Sequence, residues 1–260
     1  MWKKVRWISL GLLIVITCIL GYYIYTFLHF ADVINKPSEK SRFVEFEEEQ
    51  IKPPKWEGKE RVNILLLGGD SRGLKKEEIP RSDSIMLVSM DPVTKKASLF
   101  SILRDTYVKI PGYGKDRINA AIVLGGPTLA METVSQLLDL PVQYYVYTDF
   151  KGFIALIDSI GGIDFEVEKN MKYSDATEPM YDIDLQKGYQ HLDGNTALQY
   201  VRFRHDAMSD FSRTERQRNF LKALAHELQT TSSLLKLPKI LKRIDPYIET
   251  NLSVTDMLKL

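Results

Sequence analysis

Hydrophobic and polar positions divide the chain into three stretches. Residues 7–30 contain no Asp, Glu, Lys or Arg, enough to cross a bilayer as one helix. Lys3, Lys4 and Arg6 precede this run and Asp32 is the first charge after it, so the positive-inside rule places the N-terminus in the cytoplasm. Trp2, Trp7, Tyr22, Tyr23, Tyr25 and Phe27 flank it as interfacial anchors. A cleaved signal peptide is the rival reading. It is disfavoured because the run exceeds a usual apolar core and no small-x-small cleavage site follows. Residues 1–30 therefore read as a signal anchor. Residues 31–60, with Pro37, Pro53, Pro54 and an acidic run from Glu45 to Glu49, read as a semi-extended, poorly packed stalk. A folded extracytoplasmic domain is expected over residues 61–260.

Within that domain, residues 62–67 (VNILLL) are uninterruptedly apolar and end at Gly68-Gly69, the pattern of a strand buried on both faces. Residues 84–90 and 97–103 are further strands. The short turn Asp91-Pro92-Val93-Thr94 between them makes an antiparallel hairpin. Residues 107–110 would extend the same sheet. Helical periodicity over 127–138, with Pro127 at its start, precedes an aromatic, β-branched strand at 144–147. An amphipathic helix over 150–160 ends at Gly161-Gly162, and 163–167 is a strand. Residues 169–190 read as a long loop. Asp193 caps a helix reaching Val201, and Ser212 with Glu215 forms a capping-box signature for a helix to about Thr230. Two shorter helices follow, the last without a C-terminal cap, so the chain is expected to continue past Leu260. The order is interspersed, which predicts an α/β domain: a mixed central sheet flanked by helices.

Composition narrows the chemistry. With 35 basic and 34 acidic side chains the net charge is +1, and the three cations before the anchor account for more than that. The domain is nearly neutral and gives no general reason to bind nucleic acid. Cys18, inside the anchor, is the sole cysteine, which excludes an intrachain disulfide and disfavours thiol catalysis.

The candidate chemistry is a set of arginines and aspartates at element ends. Asp70 follows the first strand, Asp83 precedes the second and Arg104 closes the third. Arg72 and Arg81 lie between the first two. Downstream, Arg202, Arg204, Asp210, Arg213, Arg216 and Gln217 fall within sixteen residues. Guanidinium forks bind phosphate oxygens in pairs, and paired carboxylates hold a hard cation such as Mg²⁺. The set points to a pyrophosphate-bearing ligand. Turn capping by the aspartates, and salt bridges from the arginines to Asp206, Asp210 and Glu215, are the alternative uses of the same residues.

Two near-matches fail. Gly69-Asp70-Ser71-Arg72-Gly73 has nucleophile-elbow spacing, but a polar segment broken by Pro80 follows where a helix is required. Among His191, His205 and His226 none stands in an evident partner motif. Gly68-x-x-x-x-Gly73 is followed by Leu74 where a phosphate loop needs lysine. His205 beside the arginines reads as an exposed loop residue. Nothing reads as a zinc site, and the sequon Asn251-Leu252-Ser253 matters only in a eukaryotic secretory pathway.

In order along the chain stand the anchor, NILLLGGDSR, RSDSIMLVSMDP, FSILRDTYVKIPG, RINAA, LDGNTALQYVRFRH and DFSRTERQ. This ordered set resembles the LytR-CpsA-Psr family of Gram-positive bacteria across essentially everything after the stalk, and within it the teichoic acid transferases of bacilli. The resemblance implies an α/β/α domain that binds a polyprenyl pyrophosphate with its tail in an apolar channel. It implies transfer of an anionic cell-wall glycopolymer, such as wall teichoic acid, from that lipid carrier to peptidoglycan at the membrane surface. The new phosphodiester would fall on a sugar hydroxyl, usually the 6-hydroxyl of N-acetylmuramic acid. Asp70 and Asp83 match the family's Mg²⁺ (or Mn²⁺) positions. Arg104, Arg202 and Arg204 match its pyrophosphate-gripping arginines, Arg213 and Gln217 its later elements. Arg72, Arg81 and Arg216 match less closely. The chain departs from the family at Leu103, Arg117 and Ser209, where proline, lysine and glycine are usual. A binding protein without turnover and a pyrophosphate hydrolase are the rival readings.

Overall fold

The computed structural model describes residues 2–35, 41, 43, 46, 53–72, 74, 78–174, 182–205 and 210–260. Pro37, most of the acidic run from Glu45 to Glu49, Gly73, Asp206 and Ser209 lie outside them. Helix α1 (Trp2–Asn35) carries the apolar run and continues past it. Its last turns are not free: Ala31 and Ile34 are buried where α1 meets the rest of the chain. Phe43 and Trp56, assigned to the stalk by sequence, are also buried in the domain.

The central sheet contains β1 (Val62–Gly69), β2 (Ser82–Met90), β3 (Ala97–Ile102), β6 (Tyr144–Asp149) and β11 (Ile248–Thr250), ordered β11-β6-β1-β2-β3. Strands β1 and β6 are parallel and the other pairings antiparallel, giving a mixed sheet. Alternation along β1 sends Leu65 and Leu67 to one face, where they pack with Ile85, Leu87 and helix α2 (Ala121–Leu138). Each such leucine contributes about 2 kcal/mol by burial. On the other face lie α3 (Phe150–Ile160), α4 (Gly194–Arg202), α5 (Asp210–Leu228) and α6 (Thr231–Ile244), around a second core that includes Ile157, Leu198, Phe220 and Ile240. Helix α7 (Val254–Lys259) follows β11.

Several expectations need correction. Residues 107–110 do not extend the sheet; as β4 (Tyr107–Ile110) they pair with β5 (Gly114–Arg117), whose residues GKDR carry no apolar signal. The 169–190 segment is not structureless. It holds β8 (Met171–Tyr173), paired with β9 (Ile183–Leu185), and most of β10 (Gly188–Leu192), paired with β7 (Ile163–Val167). Strands β8 and β9 are three residues each, too short for a period-2 pattern to register, and β10 (GYQHL) lacks an aliphatic alternation. Ser212 lies inside α5, which already includes Asp210, so no capping box starts there. Helix α2 begins before Pro127 and kinks at Gly125 and Gly126, where φ of +68° at Gly126 requires glycine. β11 is three residues long and was not foreseen.

Candidate functional site

The parallel strands β1 and β6 end together, with Gly69 opposite Asp149, and α3 starts at the next residue. Ligands of open α/β sheets bind in the crevice beyond such carboxyl ends. A register irregularity between Gly68 and Gly69 brings Ser82 opposite Gly69 and places Asp83 in the same edge. Gly69 has no room for a side chain, because a Cβ there would stand 2.8 Å from the Tyr147 hydroxyl and 2.9 Å from Pro80. Asp149 secures the corner by accepting from Gly152 N at 2.9 Å and from Ser71 Oγ at 2.6 Å. Ser71 is a buried brace, in keeping with rejection of the nucleophile elbow.

A cavity of about 550 Å³ opens at this edge and runs between the sheet and α5. Its mouth is lined by Asp70, Asp83, Arg202, Arg204, Arg213 and His205. Its trunk is hydrocarbon: Phe153, Leu156, Phe220, Leu221, Leu224 and Ile248. Leu66, Met86 and Val146, on the sheet face opposite Leu65, form the floor.

At the mouth the charges hold one another. Arg72 Nε and Nη2 donate to Asp70 Oδ1 and Oδ2 at 2.8 and 2.6 Å, and its guanidinium lies 4.9 Å from the centre of the Phe150 ring. Arg202 approaches the same ring at 5.5 Å, so Phe150 is a shared aromatic platform. Arg104 donates to Asp83. Burial works against the Arg104 charge, but the bond to Asp83 and the charges of Asp83, Asp105 and Asp210 outweigh it and raise its pKa. Asp210 is shared by Arg213 at 3.3 Å and Arg204 at 3.9 Å.

Arg213 is the exception. It is 4% exposed, the most buried arginine lining the cavity, and its Nε, like those of Arg104 and Arg216, is buried without a hydrogen bond. Burial pushes its pKa down to about 10; Asp210 opposes the shift, while Arg204 and Arg104 add to it. A guanidinium stays protonated at neutral pH. A buried cation with two cationic neighbours beside a cavity is an environment that favours an arriving anion.

The remaining expected residues play other parts. Gln217 lines the cavity as a brace, accepting from Ser84 Oγ at 3.2 Å and donating to Val201 O at 3.3 Å. Arg216 faces away from the cavity, donating to Phe203 O at 2.5 Å and to Glu168 Oε1 at 3.4 Å. Arg117 pairs with Asp105 at 3.3 Å outside the cavity, and Arg81 is an exposed residue just before β2. Sequence reading missed Phe150, Asp149 and the stack of Tyr173 on His205, 4.2 Å between ring centres, beside the mouth. Asp149, directly before the amphipathic helix, carried an N-cap signal; the aromatic partners carried none.

Asp70 and Asp83 come from neighbouring strands and offer hard oxygen donors to one cavity, which fits Mg²⁺ or Mn²⁺ in donor chemistry. Among the described residues no cluster of three or more Asp, Glu, His or Cys forms a metal-binding group. An ion held here would need further oxygens from phosphate and water.

The model of the LytR_cpsA_psr family matches residues 22–260. The chain is 38% identical over 202 residues to the regulatory protein MsrR of Staphylococcus aureus, covering 77% of this chain and 58% of that protein. It is 37% identical over 204 residues to the polyisoprenyl-teichoic acid–peptidoglycan teichoic acid transferase TagU of Enterococcus faecalis, covering 78% and 65%. It thus spans under two thirds of the length of either relative. The structure of the LytR-CPS2A-psr family protein YwtF (TagT) with bound octaprenyl pyrophosphate superposes with a TM-score of 0.58 at 31% identity, covering 81% of this chain and 76% of that one.

Proposed function

This chain belongs to the LytR_cpsA_psr family, and from that premise we propose that it transfers an anionic cell-wall glycopolymer from a polyprenyl-pyrophosphate carrier to a peptidoglycan hydroxyl. One observation carries the reading: a single cavity joins an arginine-rich mouth to a hydrocarbon trunk. Its shape and polarity fit an amphiphile with an anionic head and a long apolar tail. The lipid-bound relative and the transferase relative support the same assignment.

In this mechanism Arg213, Arg204 and Arg202 bind the pyrophosphate oxygens, and Arg104 supports them through Asp83. Phe150 keeps Arg72 and Arg202 in place. The trunk holds the prenyl tail, so that the phosphates are fixed against the mouth and the acceptor attacks a positioned target. The acceptor hydroxyl oxygen forms a bond to the glycan-side phosphorus. The bond from that phosphorus to the bridging oxygen breaks, and polyprenyl phosphate leaves with the bridging oxygen and its electron pair. The hydroxyl proton passes to a base at the mouth, where Asp83 and His205 both stand. Mg²⁺ or Mn²⁺ at Asp70 and Asp83 would neutralise part of the phosphate charge when bound. The pyrophosphate bond supplies the driving force, so no nucleotide is consumed.

The test is to incubate the purified full chain with a synthetic prenyl-pyrophosphoryl glycan and a peptidoglycan oligosaccharide, then analyse products by mass spectrometry. A phosphodiester-linked conjugate is the expected product. Retained lipid with no conjugate favours a binding or regulatory role without turnover. Free phosphorylated glycan identifies a hydrolase. Chelation of divalent ions should slow conjugate formation, and added Mg²⁺ or Mn²⁺ should restore it.

A further inference from the structure

Two contacts fix how the domain meets the apolar helix that precedes it. The Tyr23 hydroxyl of α1 donates to Leu235 O, in the first turns of α6, at 2.7 Å, and Asn35 Nδ2 donates to Leu252 O at 2.6 Å. Tyr23 lies seventeen residues past Arg6, about 25 Å along a helix, against about 30 Å of bilayer hydrocarbon. If α1 spans the membrane, Tyr23 stands in the boundary layer of the leaflet from which the chain emerges. The start of α6 must then stand there too.

Sheet register gives the direction. Ile248 pairs with Thr148 near the site edge and Thr250 pairs with Val146, two residues further from it. Asn35 bonds Leu252, further along the same path. Helix α1 therefore runs from the site edge toward the opposite end of the sheet as it leaves the bilayer. The site edge faces the membrane, and the β2–β3 turn around Val93 points away. Helix α5 links the cavity to α6: Arg213 lies near its start at the mouth, Leu221 and Leu224 follow along the trunk, and its end leads directly into α6, so the apolar trunk and not the charged mouth lies toward α6.

The surface of α6 fits this placement. Ile240, Leu241 and Ile244 are buried in the domain, whereas Leu234 and Leu235 are 52% and 70% exposed. Lys236, Lys239, Lys242 and Arg243 are exposed, and Thr231–Ile244 contains no acidic residue. Exposed leucines at the membrane-facing end, followed by cations, match a helix lying at an anionic lipid interface.

We propose that α6 seats the domain on the bilayer, with Leu234 and Leu235 in the acyl boundary and its lysines among anionic headgroups. The seat holds the apolar trunk of the cavity close to the lipid it draws from. This inference rests on α1 as the membrane span, and it is independent of whether transfer occurs.

The test uses the full chain carrying Cys18→Ser, which removes the sole cysteine, with either Leu235→Cys or Val93→Cys. Val93 is 79% exposed on the distal turn. Each cysteine is labelled with an environment-sensitive fluorophore in vesicles of phosphatidylcholine, with or without phosphatidylglycerol, containing a shallow nitroxide-labelled lipid. Circular dichroism confirms that each variant is folded. The Leu235 probe is expected to be blue-shifted and quenched at least about fivefold more than the Val93 probe. Phosphatidylglycerol should increase that quenching, and Lys239→Glu with Lys242→Glu should reverse the increase. Equal quenching at the two positions overturns the seat. Quenching indifferent to phosphatidylglycerol overturns its electrostatic half. Flotation with the vesicles reports the anchor separately, and conjugate formation is not the readout, so failure of the seat and failure of the transfer reading are distinguishable.

Discussion

The two sides of α5 place one arginine each in a buried setting and treat it differently. Arg216, on the side toward Phe203 and Glu168, is 3% exposed and has its charge answered by a carbonyl and a carboxylate. Arg213, one turn earlier and 4% exposed, also has a carboxylate, Asp210 at 3.3 Å, and like Arg216 a buried Nε without a hydrogen bond, but it lines the cavity and has cationic neighbours at Arg204 and Arg104. Burial is the same; the difference is that Arg216 gains a carbonyl acceptor while Arg213 shares its carboxylate with Arg204 and lies near a second cation, Arg104. A buried charge left under-compensated beside a cavity marks the place where a ligand completes the structure. A compensated one holds two elements together.

The largest expected effect breaks this contrast at the ligand side. Arg213→Met should reduce conjugate formation by about 10²–10³-fold, the usual loss when one preorganised donor to a reacting oxyanion is removed. Urea denaturation of the same variant should show stability unchanged or slightly increased, since a desolvated charge has gone. Arg216→Met should do the reverse. Leaving Phe203 O without its charged donor should cost about 2 kcal/mol of stability in the same denaturation experiment, with near-normal turnover per folded molecule.

A charge placed in the trunk comes next. Leu221→Lys should weaken binding of a long-tailed prenyl pyrophosphate by at least about tenfold, through the loss of buried hydrocarbon contact, while leaving inorganic pyrophosphate almost unaffected. Titration calorimetry with the two ligands separates tail from head. The smallest effect is at the aromatic platform. Phe150→Leu removes a ring shared by Arg72 and Arg202 and should lower affinity about two- to fivefold, as expected for the loss of a partly exposed cation–π contact.

What could be read from the sequence followed from strong local signals. VNILLL ending at two glycines located the central strand, and Asp91-Pro92 located the hairpin that brings Asp83 and Arg104 to one edge. Asp193 announced its helix. The strands β8, β9 and β11 were not legible, because three residues cannot carry a periodic pattern, and β10 (GYQHL) has one aliphatic residue, Leu192, at its end. The start of α5 was misplaced because Ser212 and Glu215 imitate a cap while Asp210 already lies in the helix. Within the site, residue type located the arginines but not their orientation. Arg213 and Arg216 share a helix and a spacing consistent with one face, and only packing assigns one to the cavity and the other to the fold.

The cavity-facing charge of Arg213, unlike that of Arg216 one turn on, receives the pyrophosphate. Calorimetric titration of one prenyl pyrophosphate into the wild-type chain, Arg213→Met and Arg216→Met tests it directly. Affinity is expected to fall about a hundredfold in the first variant, in line with the loss of a charge-assisted phosphate contact, and to stay at the wild-type value in the second. Wild-type affinity in Arg213→Met, or equal losses in both variants, would contradict it.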